Sequence, residues 1–207
     1  MLQIINTGVA NIRSLQAAFD RLKCEWQLTE DPNEIETATH VVLPGVGAFD
    51  AAAESLDRLR LRESILKRIN DPGLPTLCIC LGMQLLCESS EEASTAKGLG
   101  IIPHTIKRFS NDVKVPQLGW NQVTPCTKVL TNGQYYLPGE AYFANSFRLQ
   151  DQPKGWGFAE TEYGGKFVSS IWRGRTLACQ FHPELSGEWG QNVLKNWIQG
   201  KTVEPLC

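Results

Sequence analysis

Short apolar runs alternate with helix-like segments through the first half of the chain, and this alternation restricts the fold more than any other feature. Strands are predicted at residues 2–6, 26–29, 40–43 and 76–79. Helical segments are predicted from residue 12, over residues 49–69, and again from the stretch 83–87. Strands separated by helices pair in parallel, and the helices cover both faces of the sheet. The first half of the chain therefore predicts an α/β fold around a mostly parallel sheet.

The second half of the chain is rich in predicted strands joined by tight turns. Strands are predicted at residues 117–123, 142–148, 156–162, 167–172 and 176–181. The glycine pair at 164–165 and Arg173-Gly174 are typical of hairpin turns, which join antiparallel strands. A helix with an apolar stripe follows near the end of the sequence. Since no repeat or low-complexity linker is visible, residues 1–207 are predicted to form a single domain with an antiparallel addition.

Charge and cysteine content exclude several classes of function. The 207-residue chain has a formal net charge of −2 and no run of Lys or Arg, so neither nucleic acid nor an anionic membrane is an expected partner. The first residues lack the long apolar stretch of a signal peptide or spanning helix, which favours a cytoplasmic location. The seven cysteines are odd in number, so reduced thiols are expected rather than a disulfide framework.

Cys80 lies at the corner between a buried strand and a helix. Such a corner holds a side chain out at the carboxyl end of the sheet, where open α/β sheets bind ligands. The sharp turn requires a small residue close behind, and Gly82 provides it. The start of a helix directs free N–H groups toward the sulfur, which favours a thiolate. Cys80 is therefore a candidate nucleophile; the alternative is a buried structural cysteine.

A thiol nucleophile requires a base, and the chain has three histidines. His40 opens a strand and is expected at the amino end of the sheet, away from Cys80. His104 lies in a predicted connecting segment without an acidic neighbour. His182 follows a strand, and Glu184 is placed to hold its second ring nitrogen. Cys80, His182 and Glu184 together supply a nucleophile, a base and an orienting carboxylate.

The turn Pro44-Gly45-Val46-Gly47 follows a predicted strand and is expected at the same edge of the sheet. Backbone N–H groups of such a turn bind a tetrahedral oxyanion at short range, which makes Val46 and Gly47 candidates for that role. A plain strand-to-helix turn would have a similar sequence.

A zinc site of Cys78, Cys80, Cys179 and His182 is a weaker alternative, because Cys-x-Cys within a strand lacks the loop of structural zinc sites. The sequence contains neither a phosphate-binding loop nor a dinucleotide fingerprint, so no cofactor and no metal are expected.

Two motifs together resemble the class I (triad) glutamine amidotransferases. They are Cys80-Leu81-Gly82-Met83-Gln84 and, much later in the chain, Phe181-His182-Pro183-Glu184. Further segments are similar to the glutaminase subunits of imidazole glycerol phosphate synthase: Asn6-Thr7-Gly8 with Asn11-Ile12, Pro44-Gly45-Val46-Gly47-Ala48-Phe49, Gly119-Trp120-Asn121-Gln122-Val123, Tyr142-Phe143, and Ser186-Gly187 after the second motif. The resemblance extends over essentially the whole chain.

The resemblance implies a flavodoxin-like α/β fold, with helices on both faces of a mostly parallel sheet and an added antiparallel sheet. It also implies that the thiolate of Cys80 attacks the carboxamide of L-glutamine while the oxyanion is held near Val46 and Gly47. His182, oriented by Glu184, would protonate the departing ammonia, and water would hydrolyse the glutamyl thioester. Gln84 and Gly47 would help to hold the substrate.

The resemblance further implies a heterodimer with a (β/α)₈-barrel synthase, which would receive the ammonia and form imidazole glycerol phosphate in histidine biosynthesis. Asn11, Trp120 and Tyr142 match positions that face this partner. A sheltered route is chemically reasonable, because free ammonia at neutral pH is mostly protonated and the ammonium ion is not a nucleophile. A site completed only on docking would also prevent wasteful hydrolysis of glutamine.

Three positions depart from the family pattern: Cys78 replaces a usual Gly, Leu185 a usual Lys or Arg, and Asn145 a frequent His. Changed interface residues beside an intact triad also fit a paralogous glutaminase that supplies ammonia for acetamidino-sugar formation in surface polysaccharides. A binding subunit without turnover and a stand-alone cysteine hydrolase are two further alternatives. Steady activity without any partner would favour the stand-alone hydrolase.

Overall fold

A computed structural model describes residues 1–8, 12–126 and 135–201. The elements of the first half are β1 (Leu2–Ile5), α1 (Ile12–Arg21), β2 (Trp26–Thr29), α2 (Pro32–Thr37), β3 (His40–Leu43), α3 (Phe49–Arg58), α4 (Arg62–Asn70), β4 (Thr76–Ile79) and α5 (Leu81–Gln84). Those of the second half are β5 (Cys87–Ser90), β6 (Ile102–Arg108), β7 (Gln117–Pro125), β8 (Gly139–Asn145), β9 (Phe147–Arg148), β10 (Gly157–Glu162), β11 (Lys166–Arg173), β12 (Thr176–Cys179), a 3₁₀ turn (Pro183–Leu185) and α6 (Gly187–Gln199).

The main sheet has nine strands in the order β2-β1-β3-β4-β12-β11-β10-β7-β8. The first five are parallel, and β11, β10, β7 and β8 continue the same sheet in antiparallel pairs. A second sheet has three strands in the order β5-β6-β9. The predicted α/β class is confirmed, and the antiparallel addition proves to be an extension of the central sheet.

Helices pack against the central sheet through two separate hydrophobic clusters. On β3, Val41 and Leu43 belong to one cluster and Val42 to the other. The first cluster includes apolar residues of α3 and α4, and the second includes those of α1 and α6. This alternation follows from the two-residue period of a strand, so a continuous apolar run is buried on both faces.

Three local predictions were wrong, and the first is the single strand at 142–148, which is divided into β8 of the main sheet and β9 of the second sheet. The stretch 83–87 does not form a helix: α5 is a single turn that ends at Gln84, and Cys87 begins β5. His104 lies within β6 rather than in a connecting segment, and β6 pairs with β5 in parallel. Short apolar runs do not distinguish a strand from a helix by periodicity alone, and Pro103 obscures the strand pattern around His104.

Within the described ranges, no helix is both long and apolar enough to cross a bilayer.

Candidate active site

Cys80 occupies a strained corner between β4 and α5. Its backbone angles are φ 52° and ψ −109°, which a residue with a side chain rarely adopts. The backbone N–H of Cys80 donates to the carbonyl oxygen of Cys179 at 2.7 Å, which continues the pairing of β4 with β12. The side chain is nearly buried, with 6% of the residue exposed. A corner held this tightly fixes the direction of the sulfur.

Gly82 allows the corner to pack against the end of β3. A Cβ atom at this position would lie 2.1 Å from the carbonyl oxygen of Leu43, which is far inside van der Waals contact. The backbone N–H of Leu81 also donates to the carbonyl of Gly45 at 3.3 Å. These contacts place the turn that holds Val46 and Gly47 beside Cys80. The small residue predicted here is therefore required by contact with a neighbouring strand as well as by the turn.

His182 reaches the same edge of the sheet because β12 is the parallel neighbour of β4. Cys179, the last residue of β12, is in register with Ile79, so the segment after each strand emerges at one place. The ring nitrogen Nδ1 of His182 lies 2.9 Å from Oε1 of Glu184, and both side chains are buried. The structure thus brings together the three residues predicted as nucleophile, base and orienting carboxylate.

The electrostatic environment favours a protonated His182. Burial opposes the charged ring, but hydrogen bonds with Cys80 and Glu184, together with the charges of both groups, raise the pKa of His182 to about 10. With Nδ1 committed to Glu184, the other ring nitrogen is the atom left for Cys80. His182 is therefore an imidazolium at neutral pH, the positively charged neighbour that nucleophilic cysteine chemistry requires.

A cleft of about 230 Å³ opens over these groups. Its volume suits a ligand the size of an amino acid, since pockets for drug-sized ligands measure about 300–1,000 Å³. Val46 and Gly47 line the cleft together with Cys80, Gln84 and His182. Among the described residues, no acceptor takes a hydrogen bond from the backbone N–H of Val46 or Gly47. These two donors are therefore available to a ligand.

Gln84 lines the cleft with its amide in a fixed orientation. Its Nε2 donates to the carbonyl oxygen of Phe147 at 3.2 Å and to Oε1 of Gln180 at 2.9 Å. Both protons of the amide group are therefore used within the protein. The carbonyl oxygen of Gln84 is left as an acceptor for a ligand in the cleft.

Several residues at the site were not predicted from the sequence. Glu92, on the rim of the cleft, accepts a hydrogen bond from the backbone N–H of Phe49 at 3.0 Å. Burial, and the nearby Asp50, raise the pKa of Glu92 against the opposing hydrogen bond. Ser146 also lines the cleft, and Gln180 contacts Cys80 from within the core. Of these residues, only Gln180 could have been indicated by the sequence, because it lies two residues before His182.

Two of the three residues predicted to face a partner are described, and both lie on one outer surface. Trp120 is 56% exposed, and its ring makes an edge-on contact with Tyr142 at a centroid distance of 6.3 Å. Leu118 and Leu185 are also exposed apolar residues. Asn11 lies outside the described residues. The carbonyl oxygen of Tyr142 accepts a hydrogen bond from the N–H of His182 at 2.9 Å, which connects this surface directly to the active site.

The remaining cysteines near the site are buried thiols. Burial raises the pKa of Cys78 to about 12, so its sulfur stays protonated at neutral pH. In the part of the chain that the structure describes, no group of three or more His, Cys, Asp or Glu side chains is arranged to hold a metal ion.

Comparison with known proteins places the chain in a family. A family model described as glutamine amidotransferase class-I matches residues 3–200. The imidazole glycerol phosphate synthase subunit HisH of Moorella thermoacetica is 41% identical over 95% of this chain and 93% of its own length. The chloroplastic imidazole glycerol phosphate synthase hisHF of Arabidopsis thaliana is 38% identical over the whole of this chain, which corresponds to 36% of that protein.

A solved structure described as a glutamine amidotransferase has the same fold, with a TM-score of 0.74 at 16% identity over 96% of this chain and 98% of that one. The relatives favour the imidazole glycerol phosphate synthase prediction over the surface-polysaccharide alternative. The chain therefore belongs to the class-I glutamine amidotransferases, within the HisH family of imidazole glycerol phosphate synthase subunits.

Proposed function

We propose that this chain hydrolyses L-glutamine to glutamate and ammonia at Cys80 and transfers the ammonia to a (β/α)₈-barrel synthase. The observation that carries the proposal is the strained Cys80 corner, which opens into one cleft with His182 and its partner Glu184. A nucleophile and a base in one small cleft, with a buried carboxylate that orients the base, are the requirements for acyl transfer from an amide.

The reaction proceeds through a covalent intermediate. The thiolate of Cys80 attacks the side-chain carbonyl carbon of glutamine, and the oxyanion that forms is bound by the free N–H groups near Val46 and Gly47. The carbon–nitrogen bond then breaks as His182 gives its proton to the departing amine, which leaves as ammonia. Water attacks the resulting thioester while His182 accepts a proton, and the carbon–sulfur bond breaks to release glutamate and the thiolate.

Glutamine fits the polar groups of the cleft. Its ammonium group and amide N–H₂ group are donors, and the cleft offers acceptors in the carbonyl oxygen of Gln84 and the carboxylate of Glu92. Among the described residues, Glu92 is the only carboxylate that lines this cleft, so it is the partner for the ammonium group. Glu92→Gln is expected to raise the KM for glutamine by more than tenfold with a smaller change in kcat.

The outer surface of Trp120 and Tyr142 is the docking site for the synthase. Exposed aromatic and aliphatic side chains are the usual anchors of protein interfaces, and Leu118, on the same face of β7 as Trp120, enlarges the apolar area. Because the carbonyl oxygen of Tyr142 in β8 accepts a hydrogen bond from the N–H of His182, docking against Tyr142 acts on the strand that contacts this base. The length of the Arabidopsis relative supports a partner, because this chain corresponds to little more than a third of that polypeptide.

The synthase uses the ammonia to form imidazole glycerol phosphate in histidine biosynthesis. The whole of residues 1–207 acts as one domain of this heterodimer. The cytoplasm, which keeps thiols reduced, is the compartment that fits the free cysteines.

The test is glutamine hydrolysis by the purified chain, alone and with the cyclase partner of the same organism loaded with its ligand. We expect low activity alone, strong stimulation by the partner, and no activity for Cys80→Ala. Cys78→Ala is the matched control, because it removes a buried thiol two residues away and should retain turnover. Stimulation only by a polysaccharide-pathway barrel would favour that alternative, and equal steady activity without a partner would indicate a stand-alone hydrolase. An absence of turnover in every pairing would refute the catalytic proposal.

A further inference from the structure

A chain of side-chain amides connects a backbone carbonyl to the sulfur of Cys80. The anchor is the carbonyl oxygen of Phe147, which can only accept a hydrogen bond, so the group of Gln84 that faces it at 3.2 Å is the N–H₂. The same nitrogen lies 2.9 Å from the amide of Gln180, which therefore presents its oxygen. The N–H₂ of Gln180 then faces Cys80, with 3.6 Å between Nε2 and Sγ. Each orientation is fixed by the one before it.

Gln180 is held rigidly in the core. It has no exposed surface, and its backbone N–H donates to the carbonyl oxygen of Ser169 at 2.8 Å. It lies between the end of β12 and His182, so its backbone follows the central sheet. A fully buried amide is costly unless its polar atoms are hydrogen-bonded. The partners of its amide group are Gln84 on one side and the sulfur of Cys80 on the other.

The nucleophile requires this support because the helix behind it is short. α5 contains four residues, so it supplies only a fraction of the N-terminal dipole that a long helix would direct toward the sulfur. His182 provides a positive charge on the open side of the cleft. Gln180 is a donor on the buried side, where water does not reach and where a hydrogen bond to a charged group is strongest.

We infer that Gln180 stabilises the Cys80 thiolate by donating a hydrogen bond to its sulfur, and that Gln84 holds the Gln180 amide in the required orientation. This inference rests on the proposed function, in which Cys80 is the nucleophile. It gives Gln84 a second role besides contact with the substrate. It also predicts that the amide of Gln180, rather than its size, determines the reactivity of Cys80.

The test is the rate of alkylation of Cys80 by iodoacetamide as a function of pH, followed on the peptide that contains Cys80 by mass spectrometry. Gln180→Met keeps the length of the side chain and removes the donor. We expect alkylation about tenfold slower than wild type near neutral pH, because a hydrogen bond to a charged group contributes about 1.5 kcal/mol or more. At high pH, where the thiol of Cys80 is ionised in both proteins, the two rates should converge. Gln180→Glu, which places a carboxylate oxygen against the sulfur, should slow the neutral-pH reaction further.

The control is Gln117→Met in β7. Gln117 is also a buried glutamine, and its amide atoms have no hydrogen-bond partner among the described residues. Its alkylation profile should match wild type. A Gln180→Met profile that superimposes on wild type, or that is lowered equally at every pH, would overturn the inference. If both Gln180 variants fail to fold, the side-chain amide resonances of Gln180 in wild type decide the matter: they must shift with ionisation of Cys80, and constant resonances would overturn the inference.

The outcome for Gln180 is independent of the outcome for glutamine hydrolysis. A wild-type chain that hydrolyses no glutamine with any partner, while the alkylation profiles still separate, refutes the proposed function and retains the thiolate contact. Glutamine hydrolysis by the wild-type chain, together with alkylation profiles that coincide, retains the proposed function and refutes the contact of Gln180 with the thiolate.

Discussion

The strained backbone at Cys80 predicts an unusual response to glycine. At φ 52° and ψ −109°, any residue with a Cβ atom carries strain of about 1–3 kcal/mol, which glycine does not carry. Replacing Cys80 with either alanine or glycine removes the sulfur and abolishes turnover. Only the glycine variant also releases the strain. The difference in unfolding free energy between Cys80→Gly and Cys80→Ala therefore contains the strain as one of its contributions.

Cys78 provides a matched reference for the other contributions. It lies two residues earlier in β4, is also buried, and has ordinary extended backbone. Glycine there should be less stable than alanine by about 1–2 kcal/mol, from backbone entropy and the loss of a buried methyl group. The same two effects operate at position 80. The unfolding free energy of the glycine variant minus that of the alanine variant should therefore be higher at position 80 than at position 78 by about 1–3 kcal/mol.

The measurement is equilibrium unfolding of the four variants in urea, with free energies compared at a common slope. A slope that differs between variants would indicate a change in the unfolded state and exclude that pair from the comparison. If glycine lowers the unfolding free energy relative to alanine by the same amount at both positions, the backbone of Cys80 is not strained.

Three further outcomes are expected. Gly82→Ala places a methyl group only 2.1 Å from the carbonyl oxygen of Leu43. We expect the unfolding free energy to fall by about 1–3 kcal/mol and partner-stimulated turnover to fall about a hundredfold. Unchanged values would contradict the close packing at Gly82. Glu184→Gln removes a carboxylate that raises the pKa of His182, so this pKa should fall below about 10 when followed by NMR of the imidazole. The stability that protonated His182 contributes is complete below pH 6.5 and lost as pH rises toward about 10, and this loss should occur at lower pH in the variant. Trp120→Ala should leave the unfolding free energy within about 0.5 kcal/mol and weaken binding of the synthase by about 2 kcal/mol, and equal affinity would exclude Trp120 from the interface.

Much of the fold could be predicted from apolar patterning. The strands at 26–29, 40–43 and 76–79 were predicted with the bounds that the structure has. A strand buried on both faces leaves a continuous apolar run bounded by turn residues, which is a strong local signal. The corner at Cys80 could be predicted for the same reason, since a buried strand that ends at a small-residue turn fixes where the next side chain lies.

The short elements were decided by tertiary contacts. The run 83–87 is compatible with a helix or a strand, and pairing of Cys87 with Ile102 in the second sheet selects the strand. As a result the expected helix is reduced to one turn, which weakens the helix dipole that was expected to favour a thiolate at Cys80.

The α/β class, the candidate nucleophile Cys80 and the local pair of His182 and Glu184 could be predicted from the sequence, because each depends on residues close together in the chain. The position of β12 beside β4, which brings His182 to Cys80, follows from the tertiary structure. The tertiary structure alone placed Gln180 against the sulfur across a separation of 100 residues, and Glu92 on the rim of the cleft. Periodicity records which side of an element is buried, whereas hydrogen-bond partners between distant residues depend on the order and register of strands, which no local pattern specifies.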